Sequence, residues 1–444
     1  MKKVLSLILA LCLVLSAACA MADTLAVGTY DPASAGETTL DFAWWGNQTR
    51  DAVTLDACNY FSANYPNVSI NVNAQSWNDY WALMSTYSAN NTLPDVMQQD
   101  HAYIEQWVEA GDLLELTPYI ESGALDVSNI PDAILDTGRV NGGLYAIVCA
   151  ENAPCLLYNK TLTDSLGIEV PMNITWDEFA AISKEVYEKT GVRTLYGEGN
   201  SENSPNYYGR SLGHNAFLDE NGMTMTAEEF AGYYQRMLDG VAEGWMFDTD
   251  SLAGVNVDTI AQHPLVYGST PATRSWTTMC FSNQLAAYDA AAQADGIELG
   301  ISTWPSSNPT ASNFLKPGQF FAVTTDAENP DLAVAFLNYL MNDVQGNILL
   351  QGERGVPPVT TVAAAIADEL AVIAPTYPRT VEYLAFVADG NCSAMYPPQP
   401  SYLGNAQEYL KEASETMLTV GCTTTALEMA EYVVDSIAEL AANN

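Results

Sequence analysis

The chain has 444 residues, with 54 Asp and Glu against 15 Lys and Arg, a formal charge of −39, 16% charged residues and 48% hydrophobic ones. This is the composition of a folded chain, and at about 150 residues per domain its length suggests two or three domains. Acidity this lopsided repels phosphate backbones and anionic headgroups, and the few basic residues form no run or stripe, so nucleic-acid binding is excluded.

Residues 1–22 read as a secretory signal: Lys2 and Lys3, an apolar run from Val4 to Leu15, then Ser16, Ala17, Ala18 and Ala20. Two processing routes fit it, cleavage after Ala22 and lipidation at Cys19 in a loose lipobox; either implies an exported protein. Loss of the leader leaves 54 acidic against 13 basic residues, −41. No later stretch is long and apolar enough for a membrane helix. Six mature cysteines remain, Cys58, Cys149, Cys155, Cys280, Cys392 and Cys422. None form a C-x-x-C pair, Cys149 and Cys155 are nearest in sequence, and a core this size needs no staples, so buried thiols are expected.

Residues 23–38, short, polar and rich in Gly, Ala and Thr, read as a spacer. Leu40, Phe42 and Trp44 then alternate as a strand, Trp45-Gly46 stops it, and Val53, Ala57, Tyr60 and Phe61 recur at helical spacing. Val68, Ile70 and Val72 give a second strand, so the unit is strand, helix, strand, the signature of a parallel pair in an α/β sheet. A helix over 77–89, a short strand at 94–97 and a helix over 103–110 continue the alternation. Thr175 with Glu178, and Thr226 with Glu229, are capping boxes that start two helices in a second region. Asn329-Pro330-Asp331 opens a helix with Leu332, Phe336, Tyr339 and Leu340 on one face, and a helix bearing Ala430, Val433 and Ile437 closes the chain.

Catalytic signatures are absent: no Gly-x-Ser-x-Gly, His-Glu-x-x-His, phosphate loop or Gly-x-Gly-x-x-Gly. His101, His214 and His263 are too dispersed for a metal site, and Asp248-Thr249-Asp250 lacks the later ligands of a calcium loop, so no metal or cofactor is expected. The positive signal is aromatic and amide-rich segments at strand ends and loop starts: Trp44-Trp45-Gly46-Asn47, Ser76-Trp77-Asn78-Asp79-Tyr80, Asn206-Tyr207-Tyr208 and Tyr396-Pro397-Pro398. Open α/β sheets bind ligands at strand ends. Aromatic faces stack on pyranose C–H faces while Asp, Asn and Gln take the hydroxyls, so the mixture suits a neutral sugar. Core packing is the competing role for such rings; it fits Trp44, whereas Trp45 and Trp77 fit a cleft.

Four segments in order, 77–100, 142–162 with Thr175–Phe179, 283–305, and 318–343 followed by Arg354-Gly355-Val356-Pro357-Pro358, resemble the extracellular solute-binding proteins of ATP-binding-cassette importers, in the carbohydrate group that includes maltose-binding protein. The resemblance spans nearly the whole mature chain. It implies an α/β, two-lobed periplasmic-binding-protein-like fold with three interlobe crossings and a central cleft. Lobe one would comprise 39–148 plus 318–372, and lobe two 149–317 plus 373–444. The cleft positions it implies are Trp45, Asn47, Trp77, Asp79, Tyr80, Asp100, His101, Glu151, Asn152 and Phe281, with Trp276, Gly318 and Tyr396 as further candidates. Two departures stand out: Thr273-Arg274-Ser275-Trp276 replaces the usual Gly-Lys-Ala-Ala, and Phe281 replaces Trp. The implied partners are a neutral mono- or oligosaccharide and membrane permease subunits, with the protein a monomer. An extracellular glycan-cleaving enzyme stays open on sequence alone, because 54 carboxylates could hide an acid/base pair. So do a surface sugar sensor or adhesin on the same fold and a charged ligand.

Overall fold

The computed structural model describes residues 25–443 except 197–202, 258, 269, 398 and 401; the leader, with Cys19 and Ala22, lies outside the described residues. The elements that position the site run β1 (Thr38–Trp45), α1 (Gln48–Asn64), β2 (Val68–Gln75), α2 (Trp77–Asn90), β3 (Val96–Gln99), β4 (Ile147–Val148), β5 (Glu151–Asn152), β6 (Pro154–Asn159) and α3 (Trp176–Thr190). After them come α4 (Ala227–Ala242), β7 (Thr277–Phe281), β8 (Leu299–Ser302), β9 (Lys316–Pro317), β10 (Phe320–Val323), α5 (Pro330–Asn342), α6 (Thr360–Ile373), α7 (Tyr377–Ala388), α8 (Leu403–Met417) and α9 (Ala426–Ala442).

Two sheets organise them. In the first, ordered β2-β1-β3-β10-β4, β1 runs parallel to both β2 and β3, and β10 runs antiparallel to β3 and β4. The expected strand–helix–strand unit is therefore present, with β1 and β2 in register over eight residue pairs. Leu40, Phe42 and Trp44 face a core shared with Phe61 and Phe336, while Ala43 and Trp45 face Tyr80 and Met84 on the opposite side. β1 is thus covered on both faces, as an interior parallel strand should be, whereas edge strand β2 is wet beyond Val68. The second sheet, ordered β7-β6-β8, is antiparallel. Leu156 packs with α3, α4, α8 and α9 on one face, and Cys155 and Leu157 pack with Tyr383 and Leu384 of α7 on the other. Both predicted capping boxes form, at Thr175 and at Thr226. Helix α5 is buried all round from Leu332 to Met341 rather than along one face, so it is an internal strut.

Between the sheets lies the two-stranded pair β5–β9. Core membership changes there, from Val148 in the first core to Ala153 in the second, and from Leu315 in the second back to Phe320 in the first. It changes again inside α7, where Tyr377 belongs to the first core and Tyr383 to the second. Val356 packs against both cores and pairs with Glu151.

The spacer expectation is corrected for residues 25–36. Leu25 and Val27 are buried in the first core, Ala26 N–H donates to Asp343 Oδ2 at 3.2 Å, and Asn338 Nδ2 donates to Ala26 C=O at 2.7 Å. Two apolar side chains with no period read as linker; what orders them is the polar end of α5, distant in sequence.

Candidate ligand-binding cleft

A cavity of about 920 Å³ is lined from both cores and from the segments joining them. From the first side come Trp45, at the C-terminal end of β1, then Asn47, Arg50, Trp77, Asp100 just past β3, Tyr103 and Glu353; from the other, Phe281, Asn283, Gln284 and Tyr288; from the joining segments, Asn152, Lys316, Gly318 and Gln319. Ligand sites at the carboxyl ends of strands are what an open α/β sheet provides.

The aromatic wall is built locally. Ser76 caps α2, so the helix begins with Trp77 beside the end of β1. Trp77 stands edge-on to Trp45 with ring centroids 4.9 Å apart and lies 5.9 Å from Tyr103. Trp45 is also backed by Tyr80 at 5.2 Å and Trp81 at 5.3 Å. Trp45 is consequently 6% exposed and Trp77 39%, which leaves Trp77 as the ring offering the larger free face. Opposite, the Lys316 ammonium sits 4.8 Å over the Phe281 ring. Arg50 pairs with Glu353 at 2.5 Å and donates from Nη1 to Trp45 C=O at 3.0 Å, so both cations of the wall are already engaged.

Of the residues expected in the cleft, Trp45, Asn47, Trp77, Asp100, Asn152, Phe281 and Gly318 line the cavity. Asn47 also caps α1, accepting from the N–H groups of Thr49 and Arg50. Six others do not line it. Asp79 is occupied at the start of α2, accepting from Ser76 Oγ at 2.6 Å. Tyr80 is fully buried and donates to Gln98 C=O at 2.7 Å. His101 stacks against Phe320, and burial holds its imidazole pKa below the usual value. Glu151 lies on β5, its carboxyl pKa raised by burial. Trp276 is a core residue, packed on Phe179 and bonded through Nε1 to Thr194 Oγ1 at 2.8 Å. Tyr396 is buried edge-on to Phe314. Trp276 and Tyr396 belong to the core of the second sheet because that sheet's apolar face is wide and takes whole aromatic side chains. Asp248 is a helix cap, its Oδ1 accepting from Ser251 N–H.

Sequence reasoning missed Arg50, Tyr103 and Glu353, and the buried His263, which also lines the cavity. Arg50 and Tyr103 follow strand-end loops by a few residues, a signal that was available; His263 had none. Its Nδ1 accepts from Leu265 N–H at 3.2 Å, and burial pulls its pKa down to about 4. The unfolded chain, with an ordinary imidazole near 6.5, therefore takes up a proton below about pH 6.5 that the folded chain refuses until about pH 4. Folding stability should fall as pH drops through that window, and His263→Asn should remove roughly 3 kcal/mol of the loss between pH 7 and 4. Denaturant titrations of parent and variant at both pH values check this; parallel pH dependences would refute it.

Residues 56–377, most of the chain, match the family described as bacterial extracellular solute-binding protein. The chain belongs to that family. Two curated relatives are each 26% identical: a multiple sugar-binding protein of Streptococcus mutans over 125 residues, 28% of both chains, and a lactose-binding protein of Rhizobium radiobacter over 167 residues, 36% of this chain and 38% of the relative. The match thus spans well under half of either relative. Solved structures cover far more of the solute-binding chain. A periplasmic oligogalacturonide binding protein from Yersinia enterocolitica, in complex with saturated digalacturonic acid, superposes with TM-score 0.77 at 21% identity, covering 91% of this chain and 99% of that one. The GacH receptor of Streptomyces glaucescens, solved unliganded and with acarbose, gives 0.70 at 17% identity, covering 92% and 100%. A family 1 extracellular solute-binding protein from Alicyclobacillus acidocaldarius gives 0.66 at 23% identity, covering 91% and 99%. The fold is therefore the two-lobed one of periplasmic binding proteins, and the cavity is where the two lobes face each other. Among the described residues no helix is long and apolar enough to cross a membrane, and no cluster of His, Cys, Asp or Glu is set to hold a metal ion.

Proposed function

We propose that this solute-binding protein captures a neutral sugar or oligosaccharide in the cavity and delivers it to the permease of an ATP-binding-cassette importer, without chemical turnover. The observation that carries the reading is that Trp45 and Trp77 from the first core and Phe281 from the second line one cavity together with Asn, Gln and Asp side chains. The size is at the upper end for small-molecule sites. The sugar-binding names of the curated relatives and the saccharides held by the structural neighbours support the ligand class. Neutrality is supported by the wall's own charges: Arg50 is spent on Glu353 and Lys316 rests on Phe281. We take lobe one as 39–148 plus 318–372 and lobe two as 149–317 plus 373–444, with 25–38 joining lobe one.

Thermal-shift screening against mono- and oligosaccharides tests this, because a ligand of the folded state raises the melting temperature by mass action. The best ligand should bind equally well at low and high ionic strength, shrink the radius of gyration in scattering as the lobes close, and gain no reducing ends on incubation. Stabilisation by charged compounds alone, with salt-sensitive affinity, would overturn the neutral-sugar assignment.

A further inference from the structure

Cys155 of β6 lies directly opposite Cys280 of β7 in the antiparallel register, and their Sγ atoms are 3.6 Å apart. The nearest pair in sequence, Cys149 and Cys155, is not the pair in space: Cys149 directs its Sγ to Gln319 C=O at 3.2 Å. Directly opposed residues on antiparallel strands hold their Cα atoms about 4.5–5.5 Å apart, inside the roughly 4.4–6.8 Å that a cystine spans. Side-chain rotation can therefore bring the sulfurs to a bond length of about 2.05 Å with the strands left in place. The family is extracellular, and thiols placed this close outside the cytosol meet an oxidising environment.

We propose that Cys155 and Cys280 form a disulfide in the exported protein, a staple across β6 and β7 one residue before Phe281 in the cavity wall. Both thiols are buried with Leu157 and Leu285 once the sheet has closed, so the reaction belongs to folding after export, while they are still accessible. Two S–H bonds break and one S–S bond forms. The two electrons and two protons pass to the disulfide of an extracytoplasmic thiol–disulfide oxidoreductase, which leaves as its dithiol. The staple closes a chain segment of 125 residues, long enough to restrict the unfolded state strongly. The inference rests on strand register and on an extracellular family, not on the sugar assignment, and either can fail without the other.

The test uses mature protein secreted from cells and purified without reductant. Unfolded in the presence of an alkylating agent, it should label four of the six cysteines that follow residue 22, and all six after reduction. Peptide mapping should then join the Cys155 and Cys280 peptides. Reductant should lower the melting temperature of the parent by about 5 °C and leave the double variant Cys155→Ala/Cys280→Ala unmoved. Six labels before reduction, or a link between any other pair, overturns the proposal.

Discussion

Trp77→Ala should weaken binding of the best sugar by roughly 10- to 100-fold while shifting the melting temperature by no more than about 2 °C. The asymmetry follows from exposure. Trp77 is 39% exposed and lines the cavity, so truncation removes a free stacking face worth about 1–3 kcal/mol, but little buried core. Trp45→Ala should differ in kind. Its ring is 6% exposed and wedged among Trp77, Tyr80 and Trp81, so the variant should lose ligand affinity and also about 3–5 kcal/mol of folding stability. Calorimetry with the ligand found by screening, beside denaturant melts of each variant, separates the two effects. Parent-like affinity in Trp77→Ala would show that the ligand lies elsewhere in the cavity.

That contrast marks where the sequence was legible. The alternation Leu40-Phe42-Trp44, the stop at Trp45-Gly46 and the capping boxes at Thr175 and Thr226 are local patterns, and each produced the local structure it announced. The strand-end position of Trp45 placed it at the cavity for the same reason. Trp276 and Tyr396 read as cleft residues because an aromatic residue near a loop looks the same whether its ring turns into the second sheet's core or into the cleft; only packing with Phe179 and Phe314 decides. Glu353 was invisible because its role depends on Arg50, about 300 residues earlier. Leu25 and Val27 read as linker because what orders them is Asn338 and Asp343, also some 300 residues away. Order imposed by distant partners leaves no periodic trace.

The segments joining the lobes make the sharpest stability prediction. Arg354 C=O accepts from Asn152 Nδ2 at 3.0 Å, Gly318 N–H donates to Ala150 C=O at 2.7 Å, and Glu151 and Val356 exchange backbone hydrogen bonds, so three stretches of chain meet at β5. Two glycines make that approach possible. A Cβ on Gly355 would lie 2.5 Å from both Glu151 C=O and Asn152 Oδ1, and the residue holds φ +125, where L side chains are strained. A Cβ on Gly318 would lie 2.3 Å from Asn152 Nδ2, with Ala150 and Arg354 carbonyls at 3.1 Å. Gly355→Ala should therefore cost about 3 kcal/mol or more, since neither the backbone clash nor the dihedral strain can relax. Gly318→Ala meets chiefly a side chain. Its cost should be largely recovered in Gly318→Ala/Asn152→Ala, where the blocking amide is gone, whereas Gly355→Ala/Asn152→Ala should recover less, because Glu151 C=O still obstructs the Cβ and the dihedral strain remains. Denaturant midpoints of the parent, the three single variants and the two doubles complete both cycles. An undiminished cost in Gly318→Ala/Asn152→Ala would mean that the Asn152 amide is not what excludes a side chain at Gly318.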